Sequence, residues 1–184
     1  MTLQFTSAQT KNLPDILTLQ QENLVQNRSL ENIQKEGFVT VVHSLHNLKK
    51  ICGPYTHSVA LDENNKVVGF ALVMLKEYRS EIEILKPLFN LVNTLTFDNN
   101  PLHEARYFVM GQVCVAKAAR KQGVFSKLYA HLIERTKTDF DYIITEISSK
   151  NQLSLKAHAA VGFKLVHQHK TDLGEEWNVV ILPL

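Results

Sequence analysis

Arg120, Lys121, Gln122 and Gly123 stand just ahead of an amphipathic run at 124–136. A basic glycine turn that opens a helix leaves backbone N–H groups unpaired at the positive end of the helix dipole, which makes it a natural seat for an anion. No acidic residue occurs between Ala105 and Ile133, whereas Arg106, Lys117, Arg120, Lys121 and Lys127 are all basic. A phosphate-bearing ligand is the expectation. Two further groups could do chemistry. Glu146 follows the apolar run Tyr142-Ile143-Ile144-Thr145, near the C-terminal end of a strand expected to be central, where open α/β folds place ligands. Burial there would raise its pKa toward a useful range for a general base. Alternatively, it is a structural carboxylate that caps the 148–151 loop or pairs with Lys150. Asn151, Ser154 and His158 lie at i, i+3 and i+7, on one face of a helix.

These residues are positioned by an alternation of strand and helix patterns. Residues 107–115 form an apolar strand interrupted by Gly111 and Gln112; a glycine there marks a bulge or a close backbone approach. Gln112 is either a buried hydrogen-bonder or a substrate contact. The helix at 124–136 carries its stripe on Val124, Phe125, Leu128, Tyr129, Leu132 and Ile133. A strand at 142–147 and a helix at 151–161, stopped by Gly162, follow. A hairpin of 163–171 and 177–182 closes the sheet, with Trp177 read as core. Upstream, the pattern predicts a short strand at 3–5, a helix from Asn12-Leu13-Pro14-Asp15, a second from Ser29 to Gly37 and a third at 45–51. A β-rich piece lies at 38–42, and a hairpin pairs 57–61 with 67–75. The second hairpin strand is wholly apolar and should be covered on both faces. Residues 81–95 read as a helix kinked by Pro87, and 96–104 as a polar loop.

In order and spacing these pieces resemble the acetyl-CoA-binding half of GNAT-type N-acetyltransferases. The family's loop, Q/R-x-x-G-x-G/A, is matched by Arg120 and Gly123, with Phe125 in place of the small last residue. Its second signature is matched by Asn151, Ser154, His158, Gly162 and Phe163. The resemblance implies an α/β fold, a GNAT-like mixed central sheet flanked by helices, in one domain over 1–184 with a cofactor-binding core at about 107–163. It implies that Arg120, Lys121, Gln122, Gly123, Val124, Phe125 and Ser126 hold the pyrophosphate of acetyl-CoA, Lys121 or Lys127 meeting a further phosphate. Amides around Val113, Cys114 and Val115, freed where the central strand parts from its neighbour, would pair with the pantetheine arm and polarise the acetyl carbonyl. Asn151 and Ser154 would hold that arm. His158 stands where many relatives carry a tyrosine that protonates the departing thiolate; it is a proton donor, a hydrogen-bonder of the sulfur, or a packed core histidine.

Bulk properties set the bounds. The 184 residues suit one domain, and a net charge of +2 leaves no general nucleic-acid footprint. No apolar run is long enough to span a bilayer. Cys52 and Cys114 form no C-x-x-C pattern and the N-terminus shows no signal-peptide pattern, so a reduced, cytoplasmic protein is expected. Cys114 is read as a small core residue. His43 with His46, and His167 with His169, lack third and fourth ligands, so no metal is expected. The expected activity is acetyl transfer from acetyl-CoA to a primary amine of a small molecule by direct attack, in a monomer or homodimer without nucleic-acid or membrane partners. The alternatives are a non-catalytic acyl-CoA-binding module and a protein or peptide N-acetyltransferase. A nucleotide-binding protein is disfavoured because neither G-x-x-x-x-G-K-[ST] nor G-x-G-x-x-G occurs.

Overall fold

The computed structural model describes all residues except Met1, Leu30, Asn32, Gln34 and Lys35, and excepting the side chain of Ile84. Its strands are β1 (Gln4–Ser7), β2 (Ser58–Leu61), β3 (Val67–Leu75), β4 (Thr96–Phe97), β5 (Asn100–Pro101), β6 (Tyr107–Val115), β7 (Tyr142–Ser148), β8 (Lys164–Lys170) and β9 (Glu176–Pro183). The α-helices are α1 (Leu13–Asn23), α2 (Leu45–Lys50), α3 (Lys86–Val92), α4 (Val124–Thr136) and α5 (Gln152–Val161). Seven strands form one sheet in the order β1-β2-β3-β6-β7-β9-β8. Its pairings are antiparallel except for β6 with β7. This is the mixed sheet flanked by helices that the sequence implies.

Every residue of β3 is buried, because both faces of the sheet are covered. Ala71, Val73 and Leu75 pack with Leu128, Tyr129 and Leu132 of α4 on one face. Phe70 and Leu72 pack with Ile16 and Leu19 of α1 on the other, and Met74 joins Leu88, Phe89 and Val92 of α3 there. Each such large side chain contributes roughly 1.5–3 kcal/mol by burial. Gly69 of β3 lets α4 come close: a Cβ there would stand 3.0 Å from Val124 Cγ1. The start of α4, and with it the glycine turn, is thereby seated on the sheet.

Gly111 is the skipped residue of a bulge. Leu72 pairs with Gln112 and Val73 with Met110, leaving Gly111 without a counterpart on β3. A bulge bends its strand, and β6 meets β7 only over Tyr107–Val109 against Tyr142–Ile144. From Met110 onward the two neighbours part, and this opening is where the site lies.

Three sequence expectations need correction. Pro87 does not kink a long helix: it stands in the first turn of the short α3, where its missing N–H costs nothing, and residues 83–85 before it form a 3₁₀ turn. The polar loop at 96–104 holds the small β4–β5 hairpin, turning at Asp98 and Asn99, both with positive φ. Residues 38–42 contribute only a parallel bridge of Val39 with Leu24. The expected helix from Ser29 falls partly on Leu30, outside the described residues. Ile33 N–H bonds Ser29 O and Gly37 N–H bonds Ile33 O in helical i→i−4 fashion. Among the described residues, no helix is long and apolar enough to cross a membrane.

Candidate active site at the strand opening

The parting of β6 and β7 joins two cavities. The larger, about 810 Å³, runs along the glycine turn, the N-terminal end of α4 and one side of α5. The smaller, about 450 Å³, lies over the C-terminal half of β7 and beneath the β8–β9 turn. Phe38, Val39, Val113, Asn151 and Ser154 line both, so the cavities meet at these five residues.

The larger cavity is lined by the glycine turn and the start of α4. Gly123 sits at φ +72° as the cap of α4, a backbone state that costs an L side chain about 1–2 kcal/mol. Its Cβ would have open space, with no heavy atom nearer than 3.8 Å. Lys121 is also left-handed, at φ +60°. The first bond of the α4 ladder is Lys127 N–H to Gly123 O at 3.0 Å. The amides of Val124, Phe125 and Ser126 therefore lie outside the ladder, at the positive helix end. Along β6, Ala116 N–H bonds Val68 O at 2.8 Å. Strand alternation then turns the N–H groups of Val115 and Val113 toward the opening. Cys114, between them, is buried against α1, and burial pushes its thiol up to about 12, which leaves it inert.

Arg120 lines this cavity with its guanidinium engaged by the protein. Its Nε donates to Val115 O at 3.1 Å, and its terminal nitrogens donate to Glu36 Oε2 and Asn23 Oδ1, each at 3.1 Å. It fastens the turn to β6 and to the segment that follows α1. Glu36 also pairs with Lys117 at 2.7 Å and with Arg28. Lys117 above all, with Arg120 and Arg28, holds the Glu36 carboxyl down to about 2. Lys127 Nζ stands over the Phe5 ring and is absent from the lining, and among the described residues Lys121 is the lining cation without an ion pair. Phe125 takes the place of a small residue because its ring joins an aromatic cluster, edge-on to His158 at 5.0 Å and tilted on Tyr129 at 5.2 Å.

Asn151 is the cap of α5. Its Oδ1 accepts from Ser154 N–H at 3.2 Å and its Nδ2 donates to Phe38 O at 2.9 Å. His158 is 3% exposed. Its Nδ1 donates to Ser154 O at 2.8 Å, so Nε2 accepts from Tyr129 Oη at 2.9 Å. Burial pushes its pKa down to about 4. Both ring nitrogens are thus engaged within the protein, and His158 lines the smaller cavity beside Ser154.

In the smaller cavity, Glu146 Oε1 accepts a hydrogen bond from His169 Nε2. His169 is reached across β9, since it pairs with Trp177, and Glu146 with Val179. The structural alternative for Glu146, a pair with Lys150, is not formed; Lys150 bonds Glu175 at 2.9 Å. Gln112 is 7% exposed. Its Oε1 accepts from Gln20 Nε2 and its Nε2 donates to Val41 O, both at 2.9 Å, so it ties β6 to α1. Trp177 lines the cavity and is not part of the core. Glu36 and Phe38 carry no signal in the sequence, where His169 is considered only as a metal ligand with His167. The one available signal was His169 alternating with His167 on a strand face. Among the described residues, no group of three or more His, Cys, Asp or Glu side chains is placed to hold a metal ion.

Residues 26–163 match the model of the Acetyltransferase (GNAT) family, and the chain belongs to that family. It is an acetyl-CoA-dependent N-acetyltransferase by class. No curated protein matches the sequence. Solved structures share the fold at low identity. The ribosomal-protein-S18-alanine N-acetyltransferase of Escherichia coli superposes with TM-score 0.64 at 15% identity, over 99% of this chain and 94% of that one. A phosphinothricin acetyltransferase of Sinorhizobium meliloti in complex with AcCoA gives 0.67 at 19%, over 100% and 89%. Ard1 of Thermoplasma volcanium gives 0.68 at 10%, over 100% and 99%.

Proposed function

We propose that this chain, as one domain over 1–184 with its cofactor-binding core at about 107–163, moves an acetyl group from acetyl-CoA to the primary amine of a small molecule by direct attack. The observation that carries the reading is the meeting of two cavities at Val113, Asn151 and Ser154. One has the features of a donor site and the other of an acceptor site, and the reacting atoms would sit where they join. Acetyl-CoA, when bound, supplies an acetyl thioester.

The chain's own residues would then do the following. Amides of Gln122, Gly123, Val124, Phe125 and Ser126 bind the pyrophosphate, with Lys121 beside them. The N–H groups of Val113 and Val115 orient the pantetheine arm and polarise the acetyl oxygen. Arg120 and Asn151 act through others, fixing the turn and the 36–39 segment. Glu146, oriented by His169, takes the proton that the ammonium of the acceptor must lose before its nitrogen lone pair can attack. The carbon–nitrogen bond forms, the carbon–sulfur bond breaks, and the thiolate leaves to be protonated from solvent. His158 supports the Tyr129 cluster and does not feed this proton.

The test measures release of CoA thiol with a panel of primary amines, alongside the thermal shift on adding acetyl-CoA. At one hundred times the dissociation constant the shift should correspond to about 2.7 kcal/mol. A thermal shift without turnover on any small amine would overturn the small-molecule reading and leave the binding-module and the protein or peptide alternatives, which turnover on a peptide amine separates.

A further inference from the structure

The acceptor cavity has a one-sided charge pattern. Its ionisable lining groups are Glu146, Glu175, His158 and His169, and no described lysine or arginine lines it. Lys150 pairs with Glu175 from a position where 70% of its side chain is exposed, and it is not part of the lining. The remaining wall is largely apolar: Leu85, Pro87 and Leu88 stand opposite the β8–β9 turn with Trp177 and Leu173. Leu173 is 91% exposed, an apolar side chain held at the rim of a cavity with nothing of its own to cover. The charges that the sequence offers around 76–86 are spent elsewhere: Lys76 Nζ bonds Ala105 O, Glu81 pairs with Lys50 and Glu83 with Lys86.

Resting on the acetyl-transfer reading, we propose that the acceptor is a primary amine on an uncharged apolar body, an arylalkyl- or alkylamine, and that amines bearing a carboxylate are rejected. A cationic amine is drawn toward Glu146 and Glu175, while its apolar body covers Leu173, Leu88 and Trp177. A carboxylate two bonds from the amine would have to enter the same cavity beside two like charges and without a cation to pair with. In a site with reduced access to water, that juxtaposition is costly.

Three matched probes test this: 2-phenylethylamine, L-phenylalanine and L-phenylalaninamide, which share a ring and an amine and differ in the α-substituent. With the wild-type protein, kcat/KM for the first and third should exceed that for L-phenylalanine by at least about 10-fold. Leu173→Lys adds a cation at an exposed rim position where folding is not at stake. It should narrow that gap several-fold while leaving the acetyl-CoA dissociation constant unchanged. L-Phenylalanine reacting as fast as 2-phenylethylamine overturns the proposal, and so does an inert 2-phenylethylamine in a protein that binds acetyl-CoA. A peptide amide beginning with Phe that outruns L-phenylalaninamide by 10-fold or more would make polypeptide the acceptor and overturn it equally. Failure to bind acetyl-CoA would instead strike the underlying reading, which the thermal shift reports separately.

Discussion

Asn151 and Phe38 are joined by a 2.9 Å hydrogen bond from the Asn151 side-chain amide to the Phe38 carbonyl, across the mouth of the β6–β7 opening. The same amide's oxygen caps α5. One side chain thus holds the helix start and the overlying segment in a single geometry, and both line the junction of the two cavities.

That double duty can be separated. Asn151→Ala should cost about 1–2 kcal/mol of stability through the lost cap and raise the Michaelis constant for acetyl-CoA. Asn151→Asp keeps the capping oxygen and loses the donor to Phe38. It should recover most of the stability but not the cofactor affinity. Urea unfolding and acetyl-CoA titration of both variants check this; equal affinity in Asp and wild type would remove Phe38 from the argument.

Gly123→Asp should bring the left-handed penalty of about 1–2 kcal/mol, with no steric clash, and should abolish most acetyl-CoA binding by placing a carboxylate where phosphate belongs. Gly123→Ala isolates the backbone cost. Calorimetric titration of the two separates charge from conformation, and an undiminished affinity in the Asp variant would overturn the assignment of the turn.

Glu146→Gln should lower kcat while leaving the acetyl-CoA dissociation constant unchanged, because the amide is similar in shape but takes no proton. His169→Gln should lower it less, as its role is to orient the carboxylate. Single-turnover rates decide. A Glu146→Gln enzyme at full speed moves the base elsewhere.

His158→Gln should leave kcat within about threefold of wild type, against the 10²–10⁴-fold that general acid catalysis is typically worth. His158→Phe leaves the fully buried Tyr129 hydroxyl unsatisfied and should cost about 1–3 kcal/mol. A loss of rate in both variants without loss of stability would restore the acid role.

Stability should fall on mild acidification. His43, His57 and His158 are buried, and burial first of all holds each pKa down to about 4. Unfolded histidines take up protons near pH 6.5, so between about pH 6.5 and 4 the unfolded chain binds more protons than the folded one. Stability therefore decreases as pH falls through that window, by up to about 3 kcal/mol per histidine. Below pH 4.5, Glu36, held down to about 2, continues the loss in the same direction. Urea midpoints at pH 7, 6 and 5 measure the slope; a flat profile would falsify the burial argument.

The wall of the larger cavity was legible because its parts are contiguous. The strand with Gly111, the turn with Gly123, the amphipathic stripe of α4 and the spacing from Asn151 to Gly162 are local patterns, and the structure places them side by side. The wall of the smaller cavity was not, because its members meet only after distant segments pair. Glu146 finds His169 through β9, and Phe38 reaches Asn151 from the far end of the sequence, so no spacing announces either contact. Arg120 lies on the turn, but its bond to Glu36 was not legible in the sequence. Its partner Glu36 lies 84 positions away. Pro87 is ambiguous in sequence between a kink and a first-turn residue, and the two-residue strands β4 and β5 are too short to carry a period.

The slight pairing that opens the cleft also bears on how the protein is made. β7 is joined to β6 by three residue pairs and to β9 by seven. Among the described strands β8 pairs with β9 alone, so until residues 176–183 are in place one edge of β7 and the whole of β8 lack their ladder partner. Such an edge invites association with other chains. Its exposure ends when β9 inserts between them, the same event that brings His169 to Glu146.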